Sequence, residues 1–263
     1  MRFSLKARIT VEFIGTALLL AAVVGSGIMG ERLSGGNVAI ALLANTIATG
    51  TALVALILTF GAVSGAHFNP AVTLAVASQH GMAWNEVPGY VLAQIAGAYV
   101  GVACAHLMFG LLLFSVSRHA RSGIAQVFSE FVATFGLLSV IWGCSRLRAP
   151  IVSFAVGAYI TAAYWFTAST SFANPAVALA RALTDTFSGI RPIDVPGFIL
   201  AQLLGRRQQL RFSGGCLQPN SPNRSRRSCN RWGTSRVLAA LPMIAVNNKT
   251  TLVVRRHPAK ARQ

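Results

Sequence analysis

Charge is the scarcest feature of this 263-residue sequence: Asp, Glu, Lys and Arg together make up 11%, and only six residues are acidic. Soluble globular chains carry roughly 25% charged residues, so too few are present to wet a folded surface of this size. Patterns for hydrolytic chemistry are missing as well. No GxSG serine, HExxH helix or pair of catalytic aspartates occurs, which argues against an intramembrane enzyme. The four cysteines form no CxxC or His/Cys ligand spacing, and Cys104 and His106 stand too isolated to bind metal. Such cysteines read as small hydrophobes, so no catalytic residue, metal or cofactor is expected.

What the chain has in abundance is apolar surface, 54% hydrophobic residues with 24 glycines, a composition that belongs in lipid. The net charge of +17 is unevenly placed. Residues 1–205 hold ten basic and all six acidic residues, whereas residues 206–263 hold thirteen basic residues and no acid. The basic excess therefore describes a tail and not a nucleic-acid-binding surface.

A bilayer core of about 30 Å needs around 20 apolar residues in helical form. Residues 9–29, 38–60, 88–114, 124–143 and 150–168 meet that length. Arg2, Lys6 and Arg8 before the first run resemble a signal peptide, but Glu12 inside it and the lack of a small-x-small site point to an uncleaved span. Arg146 and Arg148 join those three bases on one side, against Arg32, Arg118, Arg121 and Arg191 on the other. With the tail counted, the positive-inside rule favours a cytoplasmic N-terminus.

The chain also repeats itself. Glu12-Phe13-x-x-Thr16 returns as Glu130-Phe131-x-x-Thr134, Asn69-Pro70-Ala71-Val72 as Asn174-Pro175-Ala176-Val177, and Pro88-Gly89-Tyr90 through Gln94 as Pro196-Gly197-Phe198 through Gln202. Each copy contains three spans, about 9–114 and 124–205. An odd number inserts the second copy upside down, and inverted repeats place a solute path between the halves. Asn is a favoured helix N-cap and Pro a favoured first residue, so each Asn-Pro-Ala opens a helix. The runs that follow, 71–79 and 176–183, are roughly 15 Å long and cannot span. Entering from opposite faces, they meet at the centre with Asn69 and Asn174 offering amide donors to a neutral solute. Non-helical backbone at that depth must be packed in protein or line water.

These motifs resemble the aquaporin, or major intrinsic protein, family over roughly residues 8–205. The resemblance implies an all-α membrane protein: a right-handed bundle of six transmembrane helices plus two half-helices in an inverted repeat. It also implies a homotetramer in the bilayer, one pore per subunit, that passes water or small uncharged solutes passively. In that family four positions form a constriction beyond the Asn pair, and counting from the motifs assigns them to Thr49, Ala162, Ser171 and Val177. The family usually has Arg where Val177 stands, an aromatic residue at Thr49 in water channels, and His at Ala162. Thr, Ala, Ser and Val would make a wide, partly apolar ring without a guanidinium, favouring bulkier neutral solutes over water. Alternatively Val177 merely packs, and Trp165, Phe166 or Phe172 fills the ring.

Arg-less rings of this kind resemble the bacterial aquaglyceroporins of arsenic-resistance operons, which implies glycerol, arsenite and water as passengers across an inner membrane. Glu12 and Glu130, at equivalent places in the repeat, are read as structural acids that bond the loop before each half-helix. His67 is read as a backbone-bonding group beside a turn. Gly97 and Gly101 make a small-xxx-small step for close helix packing.

The third repeat block stops abruptly after Gly205: Arg206-Arg207-Gln208-Gln209 replaces Ala98-Tyr99-Val100-Gly101. Residues 195–205 alone are too short to cross, so the channel domain is expected over 1–205 with a truncated sixth helix. Residues 206–263 then form a basic, disordered tail, either out of frame or a genuine extension that binds anionic lipid. Alternatives to this passive channel are an ordinary water channel, a gradient-coupled secondary transporter and a non-functional truncated product. A transporter of this architecture needs coupling carboxylates near the midplane, and no acid lies beside either Asn-Pro-Ala.

Overall fold

The computed structural model describes residues 3–147 and 149–216, which form helices and loops without any strand among them. Helix α1 runs Leu5–Leu33, α2 Val38–Ser64, the short α3 Pro70–Ser78, and α4 Val87–Met108. Helices α5 (Ile124–Leu147), α6 (Val152–Phe166), the short α7 (Pro175–Arg181) and α8 (Val195–Cys216) repeat the order. Residues 5–33, 38–64, 84–108 and 124–146 form helices long and apolar enough to cross a membrane, and α6 is a shorter apolar one.

Local chemistry explains where the elements begin. The Ser4 hydroxyl accepts from the Ala7 N–H, and the Asn37 carboxamide accepts from Ala39 and Ile40. Both satisfy N–H groups that a helix start leaves without partners. Helix α2 ends on Gly65 at φ 91°, the left-handed C-cap that glycine takes most easily. Asn69 and Asn174 cap α3 and α7, with Pro70 and Pro175 as first residues.

Packing follows the repeat. Helix α1 lies against α2 and α4, and α5 lies against α6 and α8; α2 meets α6, α4 meets α7, and α3 meets α8 to join the halves. Glycines set the closest approaches: a Cβ on Gly97 would strike the backbone of Phe13, and one on Gly205 would lie 2.6 Å from the Phe131 carbonyl. The outside is greasy. Leu18, Leu43, Ile47, Leu92, Phe128, Phe154 and Leu200 are all exposed, which suits hydrocarbon and not water.

The end of the repeat differs from the expectation of a helix truncated at Gly205, because α8 continues to Cys216. Arg206 and Ser213 turn inward onto α3 and its cap, while Arg207, Gln208 and Arg211 are exposed. Arg206 Nη1 donates to the Leu74 carbonyl at 3.3 Å and the Ser78 hydroxyl at 3.1 Å, and Gln79 Nε2 donates to Ser213 Oγ at 3.1 Å. Hydropathy alone misses a helix in which a charged side chain such as Arg206 finds partners within the bundle. The rest of the expected tail, from 217 onward, lies outside the described residues.

Candidate functional site

The two short helices start from loops with unusual backbone. Ala66 and Phe68 before α3, and Thr170, Ser171 and Ala173 before α7, adopt φ between 46° and 58°. Left-handed non-glycine residues cost roughly 1 kcal/mol or more each, so something must hold them. The holders are the buried acids. Glu12 Oε1 accepts from Ser64 Oγ (2.6 Å) and the His67 N–H (2.9 Å), while Oε2 accepts from the Phe68 N–H (2.7 Å) and Gln94 Nε2 (2.8 Å). Glu130 does the same for the second loop: it accepts from the N–H groups of Phe172 and Ala173, both at 2.9 Å, and from Gln202 Nε2 at 2.6 Å. Hydrogen bonds to a carboxylate are roughly twice as strong as neutral ones, which offsets the strained backbone. His67 uses its ring on Thr73, Nδ1 to Oγ1 at 3.1 Å.

Asn69 and Asn174 then face each other. Asn69 Oδ1 caps the Ala71 N–H at 2.8 Å, and Asn174 Oδ1 caps that of Ala176 at 3.0 Å. Each Nδ2 donates across the halves, Asn69 to the Ala173 carbonyl and Asn174 to the Phe68 carbonyl. A carboxamide carries two N–H donors, so one on each Asn is fixed and one is left over.

A cavity of about 230 Å³ runs past this pair. Toward the end of α3 it is lined by Val76, Ile141, Ser145 and Val152; around the Asn pair by His67, Phe68, Val72 and Val156; and toward the end of α7 by Thr49, Ile160, Tyr164, Ser171, Phe172, Val177 and Arg181. Of the four ring positions counted from sequence, the structure brings together Thr49, Ser171 and Val177, each at least 95% buried. Ala162 is exposed and does not border the cavity. Helix α6 presents Val152, Val156, Ile160 and Tyr164 at intervals of four, one face of a helix, and Ala162 points away from that stripe. The offset from Asn174 miscounts because residues 167–173 between them are not helical. Tyr164 lines the cavity on that stripe, its hydroxyl donating to Thr49 Oγ1 at 3.2 Å.

A charged residue that the motif count does not reach, Arg181, one turn beyond Val177, also borders the cavity. Its guanidinium carbon lies 3.5 Å from the Phe172 ring centroid, and its Nε donates to the Ser188 carbonyl. The i, i+4 spacing from Val177 on a helix opened by Asn174 would have revealed it. Among the aromatic residues considered for the ring, Phe172 borders the cavity, whereas Trp165 and Phe166 are exposed.

An apolar bundle with two half-helices, held tip to tip by a reciprocal Asn pair beside a largely apolar cavity with a few polar groups, is the architecture of a membrane channel. The chain belongs to the major intrinsic protein family, which matches residues 2–149, and is a multi-pass membrane protein that conducts and does not catalyse. The aquaglyceroporin AqpS of Rhizobium meliloti (strain 1021) is 54% identical over 220 residues, 84% of this chain and 94% of that protein. Aquaporin NIP1-1 of Oryza sativa subsp. japonica is 34% identical over 164 residues, 58% of this chain and 55% of its own length. The crystal structure of the aquaglyceroporin from Plasmodium falciparum superposes with a TM-score of 0.65 at 22% identity, covering 82% of this chain and 98% of that one.

Proposed function

We propose that the chain is a passive channel of a bacterial inner membrane, passing glycerol-like solutes and metalloid hydroxides such as arsenite together with water. The homotetramer implied by the family, with one pore per subunit, is part of this reading. The observation that carries it is the mixed character of the cavity wall. Spare amide donors of Asn69 and Asn174 and the hydroxyls of Thr49, Tyr164 and Ser171 stand beside Val72, Val156, Ile160 and Val177. The Ser171 hydroxyl is buried with no hydrogen-bond partner among the described residues, and buried hydroxyls are ordinarily paired. A polyol or a small polyhydroxy acid supplies both the missing partner and an apolar face for the valines. Water supplies only the first.

The high identity to a protein called an aquaglyceroporin supports the same solute class. Swelling of proteoliposomes carrying the full chain, with water, glycerol and arsenite compared, tests the proposal. Glycerol and arsenite flux well above empty vesicles is expected. Passage of water without either solute would refute it.

A further inference from the structure

The carboxylates near the cavity are committed elsewhere. Glu12 and Glu130 hold the two loops, and Asp194 pairs with Arg191 at 3.0 Å. Arg181 is left without one. It is 2% exposed, and no ion pair to it exists among the described residues. Of the five N–H donors of a guanidinium, only that on Nε has an acceptor among the described residues, the Ser188 carbonyl. The Phe172 ring face supplies the remaining contact. A second cation reinforces the first. The guanidinium carbon of Arg121, from the stretch between α4 and α5, lies 5.1 Å from the same ring centroid. Its guanidinium acceptors are all neutral: the carbonyls of Gly189, Ser169 and Phe187 and the Thr170 hydroxyl.

We infer that Arg181, braced on Phe172 and backed by Arg121, is the residue that bars cations from this pore and offers donors to neutral solutes there. The inference rests on the channel reading above. A cation entering the cavity must shed water and approach a buried positive charge that no ion pair neutralises among the described residues, in a medium far less screening than water. An uncharged solute meets no such barrier and can accept from the free Nη donors. Val177, one turn earlier on the same face, leaves the lumen open beside the guanidinium.

The test uses full-length protein in proteoliposomes, with glycerol swelling measured beside proton and potassium leak. Arg181→Gln keeps a donor for Ser188 but loses the charge, and Arg181→Lys keeps the charge. The Gln variant is expected to pass glycerol while leaking protons or potassium at least tenfold faster than wild type, and the Lys variant to stay tight. Adding Val177→Arg to Arg181→Gln should reseal the pore to cations and reduce glycerol flux, a rescue that a purely structural Arg181 would not produce. A Gln variant that passes glycerol and stays tight overturns the inference, and so does a double variant that still leaks. Should the Gln variant not insert, a Lys variant that passes glycerol but leaks cations overturns it equally. Wild-type protein that passes neither glycerol nor arsenite instead sinks the channel reading itself.

Discussion

Asn69 and Asn174 each hold the other's loop: Asn69 donates to the carbonyl of Ala173, the residue before Asn174, and Asn174 donates to that of Phe68, the residue before Asn69, at 2.7 and 2.8 Å. The meeting of the half-helices is thus a closed pair of bonds. Each Asn caps its own helix and fixes its partner's. Neither half can shift without breaking a bond belonging to the other.

Replacing either residue by Ala is therefore expected to remove a helix cap and leave a buried carbonyl without a donor, at a cost of roughly 2–4 kcal/mol in stability. Glycerol flux should fall with it. Because both variants loosen the same two loops, Asn69→Ala with Asn174→Ala should be less destabilised than the sum of the singles by about 1 kcal/mol. Thermal unfolding in detergent measures all three, and strict additivity would show that the loops move independently.

Glu12 and Glu130 give a second prediction, since their geometry makes them holders of backbone. Glu12→Gln keeps the shape but presents an NH2 group to donors that already fill the site. With hydrogen bonds to a charged group contributing about 1.5–3 kcal/mol each, Glu12→Gln and Glu130→Gln should each lose about 3 kcal/mol or more. Flux in wild-type protein should be independent of a proton gradient. Gradient-driven uptake abolished by Glu12→Gln in protein that still melts like wild type would contradict the structural role.

These features differ in how far they could be read from sequence. The caps at Asn69 and Asn174, the prolines after them and the paired Glu12 and Glu130 are local or repeated signals, and the half-helices could be placed within a residue or two. Ala162 failed because a count through residues 167–173 assumes regular backbone where three residues are left-handed. Arg181 is accessible to helical arithmetic, four residues beyond Val177 on the helix that Asn174 opens, although the Asn-Pro-Ala-Val motif itself ends at Val177. The length of α8 is not legible, because Arg206 looks unsuited to lipid until α3 supplies its acceptors more than 120 residues earlier in the chain.

Outside the membrane, His119 provides a pH dependence. Partial burial, and next the neighbouring Arg121, hold its imidazole below the usual value; Arg181 adds to this, while Glu31 and Asp185 pull the other way. The unfolded chain takes up this proton near pH 6.5, whereas the folded loop resists it. The contribution is therefore present above about pH 6.5 and is lost as pH falls through the lower folded value. The melting midpoint should drop between pH 7.5 and 5, and less so in His119→Asn. An identical drop in that variant would assign the effect to other groups.

The inward-turned end of α8 separates a useful polar residue from a costly one. Counting along the repeat, Gln209 stands where the first copy has Gly101, whose missing Cβ lets α4 close on the Ala17 backbone. Gln209 is fully buried, and both its amide atoms lack partners among the described residues. An unsatisfied buried polar group costs about 1–3 kcal/mol, so Gln209→Ala should stabilise the protein. At roughly 2–4 °C per kcal/mol for a chain of this size, the shift is measurable in a detergent melt. Arg206→Ala should move the opposite way by about 1–2 kcal/mol, because it removes a charged donor from the Leu74 carbonyl and the Ser78 hydroxyl at the last turn of α3. If residues after Gly205 were merely an accident of reading frame with no place in the bundle, both substitutions would leave the midpoint unchanged. Opposite shifts from two polar residues three positions apart require that this stretch is folded against the first half of the chain.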